Sequence, residues 1–168
     1  MLDNANDGSN SKSMSIIATK GSLDWAYPPF ILGTSAAAMD MDVTMFFTFY
    51  GLELLKKDMD LKISTLGNPA MKFPMMGMHV GMPNIVGAIP GVDAGASAMM
   101  NNLLKKKGVA SIEDLREAAI ESDVRMIACQ MTLDLFEIKD TDLIDGVEIG
   151  GAATAIEVAG KSDINYFM

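Results

Sequence analysis

Apolar and polar positions along the chain fall into short blocks whose period switches between strand and helix. Ser15-Ile16-Ile17-Ala18-Thr19 is a compact apolar run that stops at Lys20-Gly21. A run of that length without alternation predicts a strand buried on both faces. A helical segment follows between Asp24 and Met39, with Ser22 or Asp24 as its cap and Pro28-Pro29 near its first turn, where N–H groups have no partner anyway. Val43 to Phe49 is rich in β-branched and aromatic residues and predicts a second buried strand, and Gly51 to Leu55 starts a short helix. Ala94, Ala98, Met99, Asn102 and Leu103 then recur at helical spacing. Lys105-Lys106-Lys107-Gly108 ends that helix, because cations suit a helix C-terminus and glycine suits the left-handed cap. Ser111-Ile112-Glu113-Asp114 resembles a capping box with Asp in the place of Glu. It opens a helix with Ile112, Leu115 and Ala119 on one face and Asp123 at its end. Val124 to Ala128 reads as a strand, Cys129 follows it directly, and Gln130 to Phe136 reads as a helix. Asp145-Gly146 marks a turn, Val147 to Ile149 a short extended piece, Gly151 to Ala159 a small-residue helix, and Ile164 to Phe167 a terminal strand.

Strands alternating with helices imply an α/β fold: a three-layer, open, mostly parallel sheet with helices on both faces. No internal repeat or second boundary interrupts residues 13–168, which read as one domain behind a flexible polar tail, residues 1–12. The tail matches a calcium-binding loop at Asp3, Asp7 and Gly8, but Ala5 fills a ligand position and no Glu closes the loop. In open parallel sheets, sites lie beyond the carboxyl ends of the strands. Three segments are therefore expected to converge there: residues 20–24, Tyr50-Gly51, and residues 129–132.

The middle of the chain departs from this rhythm. Asn68 to Gly91 is dense in Pro, Gly and Met, and a loop of this length inside a compact domain is usually functional, disordered or an interface. Phe73 to Val92 is uncharged and long enough to span a bilayer. Pro74, Pro83 and Pro90, with glycines at 77, 81, 87 and 91, break helices whose freed backbone groups lipid cannot satisfy, so the run reads as a hydrophobic loop.

Composition narrows the function. The 168 residues are 49% hydrophobic, enough for a sizeable core. With 13 basic and 22 acidic residues the net charge is −9, which argues against non-specific binding to nucleic acid or anionic membranes. Sixteen methionines suggest adaptable contact surfaces as well as core, with peripheral membrane contact through the Met-rich loop as one option. A single cysteine excludes an intrachain disulfide and a dithiol cycle, and it fits a reducing, cytoplasmic setting. The polar, acidic start lacks the pattern of a signal peptide.

Cys129 is the first candidate for chemistry. It stands where a strand ends and a helix begins, and backbone N–H groups and the helix dipole favour a thiolate there. The N–H groups of Gln130 and Met131 are placed to stabilise an anionic terminal sulfur on it. Against this stands the commoner role of a lone cysteine, a small buried hydrophobe. Gly21, Asp24 and Tyr50, with Lys20, stand near the strand tips as candidates to orient a donor or shift the thiol pKa, or as plain capping and solvated residues. Met75, Met76, Met78, His79 and Met82 form a soft-ligand cluster suited to Cu(I), but the spacing matches no defined site and a hydrophobic lid is the favoured reading. No phosphate loop, GxGxxG, CxxC or paired metal-type His occurs.

Lys20-Gly21-Ser22-Leu23-Asp24, then Phe46-Phe47-Thr48-Phe49-Tyr50-Gly51-Leu52, then Ala128-Cys129-Gln130-Met131-Thr132 resemble the DsrE/DsrF/DsrH-like family, which includes subunits of the Tus sulfur relay. The Pro/Met-rich middle and Leu143-Ile144-Asp145-Gly146-Val147-Glu148 are similar to its branch labelled "peroxiredoxin family protein", although no peroxidatic Pro-x-x-x-Thr-x-x-Cys precedes Cys129. Asp123 stands where the family pattern has Gly. The resemblance covers residues 13–168. It implies an open parallel sheet, trimers or hexamers, and a sulfurtransferase-like role in which Cys129 carries a persulfide or thiosulfonate group. It also implies partners that are small TusA-like or DsrC-like sulfur carriers, and needs no metal or organic cofactor. The competing class is a non-enzymatic binding or assembly protein that uses the Met-rich loop, with Cys129 structural.

Overall fold

The computed structural model describes residues 11–64, 72–75, 78–81 and 91–168. In chain order these hold β1 (Ser13–Ala18), α1 (Leu23–Ala37), β2 (Asp42–Phe47), β3 (Lys72–Met75), β4 (Met78–Gly81), α2 (Val92–Lys106), α3 (Ile112–Glu121), β5 (Arg125–Cys129), α4 (Gln130–Phe136), β6 (Glu148–Gly150), α5 (Ala152–Lys161) and β7 (Ile164–Phe167). Five strands make one parallel sheet in the order β6-β5-β2-β1-β7, so β2 is central and β5 is flanked on both sides.

The two faces are read off the period-two alternation of the strands. Met14, Ile16, Ala18, Val43, Met45, Phe47, Met126 and Ala128 share the larger core with Leu23, Ala26 and Phe30 of α1 and Ile112 and Ala119 of α3. Phe46, Ile127 and Cys129 turn the other way, onto Ala155 of α5, with Ile17 and Val158 at the margin. Helices therefore cover both faces, as the alternation of elements predicts. Gly33 lets α1 approach the sheet, since a Cβ there would press on Met45 Sδ at 3.1 Å.

Several local expectations hold. Ser111 accepts from Asp114 N–H while Asp114 accepts from Ser111 N–H, a closed capping box. Gly108 (φ +68) and Asp123 (φ +55) take the left-handed conformation that ends α2 and α3. Others are corrected. Pro28 and Pro29 sit in the interior of α1, not its first turn. Neither ring nitrogen can donate, so the carbonyls of Asp24 and Trp25 lose their helical donors. Packing outweighs that loss, because Pro29 and Phe30 are fully buried. Ser22 is the N-cap by conformation but its hydroxyl caps nothing. β2 stops at Phe47, two residues short of the expected Phe49, and Phe49–Leu55 winds into a 3₁₀ helix. In the segment expected to be a loop, β3 and β4 pair antiparallel as a hairpin, Pro74 opposite His79. Met76 and Met82 of the soft-ligand cluster lie outside the described residues, as do residues 1–10 of the expected tail. Among the described residues, no helix is long and apolar enough to cross a membrane.

Candidate functional site

Two glycines let the segments that leave the carboxyl ends of β1 and β2 approach closely. A Cβ on Gly21 would collide with the Tyr50 carbonyl oxygen, and one on Gly51 with the Ala18 carbonyl. The turn after β1 and the 3₁₀ helix after β2 therefore cross at backbone distance. Thr48 N–H donates to Ala18 O at 3.0 Å across the same edge. Arg116 anchors the far end of the 3₁₀ helix, donating to Leu54 O at 3.1 Å and Lys56 O at 2.7 Å.

Cys129 closes β5 and immediately precedes α4, with extended backbone (φ −72, ψ 114) and 4% exposure. Its sulfur makes no formal helix cap. Burial is the largest single influence on the thiol and pushes its pKa up. The hydroxyls of Thr132 and Thr48 and the N–H groups of Thr132 and Met131 favour the thiolate, and together they outweigh burial, so the pKa lies below that of an ordinary thiol. Thr132 is fully buried. Its Oγ1 lies 3.1 Å from Thr48 Oγ1 and accepts from Phe49 N–H at 3.2 Å. Phe49 holds φ +49, a left-handed conformation that is costly for an aromatic residue. That kink ends β2 and carries the Phe49 N–H that Thr132 receives.

The three segments expected to converge do meet at this edge, but the individual residues do different things. Gly21 supplies the close approach to Tyr50. Asp24 turns to the loop, its carboxylate accepting from Ser64 N–H at 2.9 Å. Lys20 Nζ lies over the Trp25 ring, 3.2 Å from its centroid. Tyr50 is 65% exposed and stacks on Phe136 with ring centroids 5.7 Å apart, while Phe49 meets the same ring edge-on at 6.5 Å. Gln130 is exposed, and its amide donates to Asp134 at 2.8 Å. The expected N–H pair shifts by one residue, to Met131 and Thr132, because Cys129 is itself the N-cap position and amides two and three residues on face a capping side chain. The Met131 side chain is exposed. Thr48 and Thr132 escaped the sequence reading, although Thr132 stands three residues after a cysteine at a helix start, the spacing of a capping partner.

A cavity of about 600 Å³ lies elsewhere, lined by residues of α1, α2 and α3 such as Tyr27, Lys105 and Glu113, and includes none of Thr48, Phe49, Cys129, Met131 or Thr132. Among the described residues, no group of three or more His, Cys, Asp or Glu side chains is placed to hold a metal ion.

Fold and site thus define a parallel α/β protein with a buried free cysteine at the carboxyl end of an inner strand. Residues 10–167 match the DsrE/DsrF/DrsH-like family, and the chain belongs to that family. It is 57% identical over 157 residues to a protein of Allochromatium vinosum named "Sulfur carrier protein DsrE2", covering 94% of this chain and 98% of that one. It is 30% identical over 162 residues to the uncharacterised protein YrkE of Bacillus subtilis, covering 94% and 97% of the two chains. The ychN protein of E. coli superposes with a TM-score of 0.54 at 13% identity, covering 94% of this chain and 99% of that one, a likeness of fold.

Proposed function

We propose that the protein is a sulfur carrier in a relay, with Cys129 as the atom that holds the cargo. The observation that carries this reading is a buried thiol whose pKa is nevertheless lowered by convergent donors. The name of the Allochromatium vinosum relative supports it. The Cys129 thiolate attacks the sulfane sulfur of a persulfide or polysulfide donor, forming a new S–S bond while the donor leaves as its thiolate. A thiolate on a receiving protein then attacks the terminal sulfur, and Cys129 leaves as a thiolate. Electrons balance in each step, and no metal or organic cofactor is required. The receiving thiol belongs to another protein, because this chain has one cysteine. A small TusA-like or DsrC-like carrier fits that role, in the reducing conditions of the cytoplasm, with the family's trimeric or hexameric assembly as the working form.

The 4% exposure of Cys129 favours a second reading, in which the cysteine is structural and the protein acts by binding alone. Transfer separates the two. Protein treated with polysulfide, desalted and mixed with a TusA-like carrier should pass one sulfur atom to the carrier, and the Cys129→Ser variant should pass none. Loading without transfer would leave a storage role. Equal behaviour of the two proteins would return Cys129 to the core.

A further inference from the structure

The surface beside the cysteine carries an inference that deepens the carrier reading and rests on it. Helix α4 runs straight on from Cys129 and buries Thr132 and Leu133 against the body of the protein. Its outer side leaves Met131 and Leu135 more than half exposed, four residues apart and so neighbours on one stripe of the helix. At the end of α4, the Phe136 ring stacks on Tyr50 and meets Phe49 edge-on, and all three rings reach the surface. Scattered apolar side chains on a surface are ordinary, but aromatic rings stacked on one another in the open, with Met and Leu beside them, have the composition of an interface centre. Its border is acidic. Asp134 accepts only from the Gln130 amide, Glu137 follows the helix, and among the described residues neither carboxylate pairs with a cation.

We propose that Phe49, Tyr50, Met131, Leu135 and Phe136 form the docking surface for the protein that exchanges sulfur with Cys129. That partner brings an apolar surface around its own cysteine, bordered by Lys or Arg. The chemistry demands closeness: an S–S bond is about 2 Å long, and Cys129 is buried at the end of β5. A partner's sulfur reaches it only if the two surfaces meet at the start of α4, and this patch is what they meet there. Charge decides between a carrier and a second copy. Two copies seated on the same patch across a two-fold axis would bring the Asp134 and Glu137 carboxylates of both into one interface, on chains of net charge −9. They would also shut both thiols away from the receiving protein. A basic border on a carrier meets the same carboxylates favourably and speeds the encounter. Tyr50 and Phe136 are the anchors, because rings already stacked on each other lose little freedom on binding.

Docking is measured apart from the chemistry, by calorimetric titration of the Cys129→Ser protein with a TusA-like carrier. In that background Leu135→Ser and, separately, Tyr50→Ala should each weaken binding about tenfold or more. Both side chains are exposed, so the fold does not depend on them. Ile120→Ser, an equally apolar and exposed position on α3, should bind as the parent does. Raised ionic strength should weaken binding of the parent. In the polysulfide-loaded protein that keeps Cys129, Leu135→Ser should slow passage of sulfur to the carrier about tenfold and passage to dithiothreitol by less than about twofold. Equal slowing toward both acceptors would place the effect in the thiol and overturn the docking surface. Absence of binding by the parent, or parent-like affinity in both variants, would overturn it too. So would a particle mass that falls to the monomer in Leu135→Ser, which would give the patch to a second copy. Uptake of sulfur by the wild type is read separately by intact mass, and the calorimetry needs no loading, so failure of the carrier reading and failure of the docking surface are seen independently.

Discussion

At the scale of single residues, the balance at Cys129 is between burial and donors. Burial alone would make an inert thiol, and the hydroxyl and amide donors reverse its sign. The sign carries through to stability. A group whose pKa is depressed on folding contributes stability in full above its unfolded value, near 8.5 for a thiol, and loses it as pH falls through the folded value. Urea unfolding of the wild type against Cys129→Ser should therefore show a wild-type advantage that grows as pH rises across that window. A gap that stays constant or shrinks with rising pH would contradict the depressed pKa. Cys129 was legible in the sequence because its place depends only on local order, a strand that runs directly into a helix. Thr48 and Thr132 were not, because their pairing spans 84 residues and exists only once β2 and α4 have docked.

At the scale of elements, the site depends on two backbone crossings more than on any side chain. Gly51→Ala sets a Cβ against the Ala18 carbonyl, and backbone on both sides leaves little room to yield. It should cost about 1–3 kcal/mol, the usual range for overpacking, and displace the Thr48–Phe49 corner along with it. Thermal unfolding checks the first, and the midpoint of a thiolate absorbance titration should rise in parallel. Gly95 has nothing near its Cβ direction, so Gly95→Ala in α2 should be neutral or mildly stabilising and serves as the control. Elements with local signals were readable: the capping box of α3, the lysine-glycine stop of α2, and the whole of α4 and β7. The corner after β2 was not, because Phe49 looks like a continuing strand residue and only the left-handed φ at that position ends the run. The Pro28-Pro29 pair misled because α1 starts at Leu23 and runs on through both prolines, where Pro29 and Phe30 are buried.

At the scale of the whole molecule, the larger core cluster lies on the α1–α3 face. Among the described residues, the ten-residue helix α5 packs on the face that holds Cys129, where Phe167 is 76% exposed and Ile156 of α5 71%. Surface of that kind is what an assembling protein presents. Multi-angle light scattering at micromolar concentration should report more than one chain per particle, and a clean monomer would count against the oligomeric part of the proposal. The parallel α/β architecture itself was readable from the alternation of elements, since the handedness and pairing rules leave few other ways to cover such strands.

The claim on which the account turns is that Cys129 holds sulfur, and intact-mass spectrometry tests it most directly. After incubation with inorganic polysulfide and desalting, the wild-type protein should gain the mass of one or more sulfur atoms, removable by a reductant, and Cys129→Ser should gain nothing. Equal labelling of both proteins, or no gain by the wild type, would contradict it.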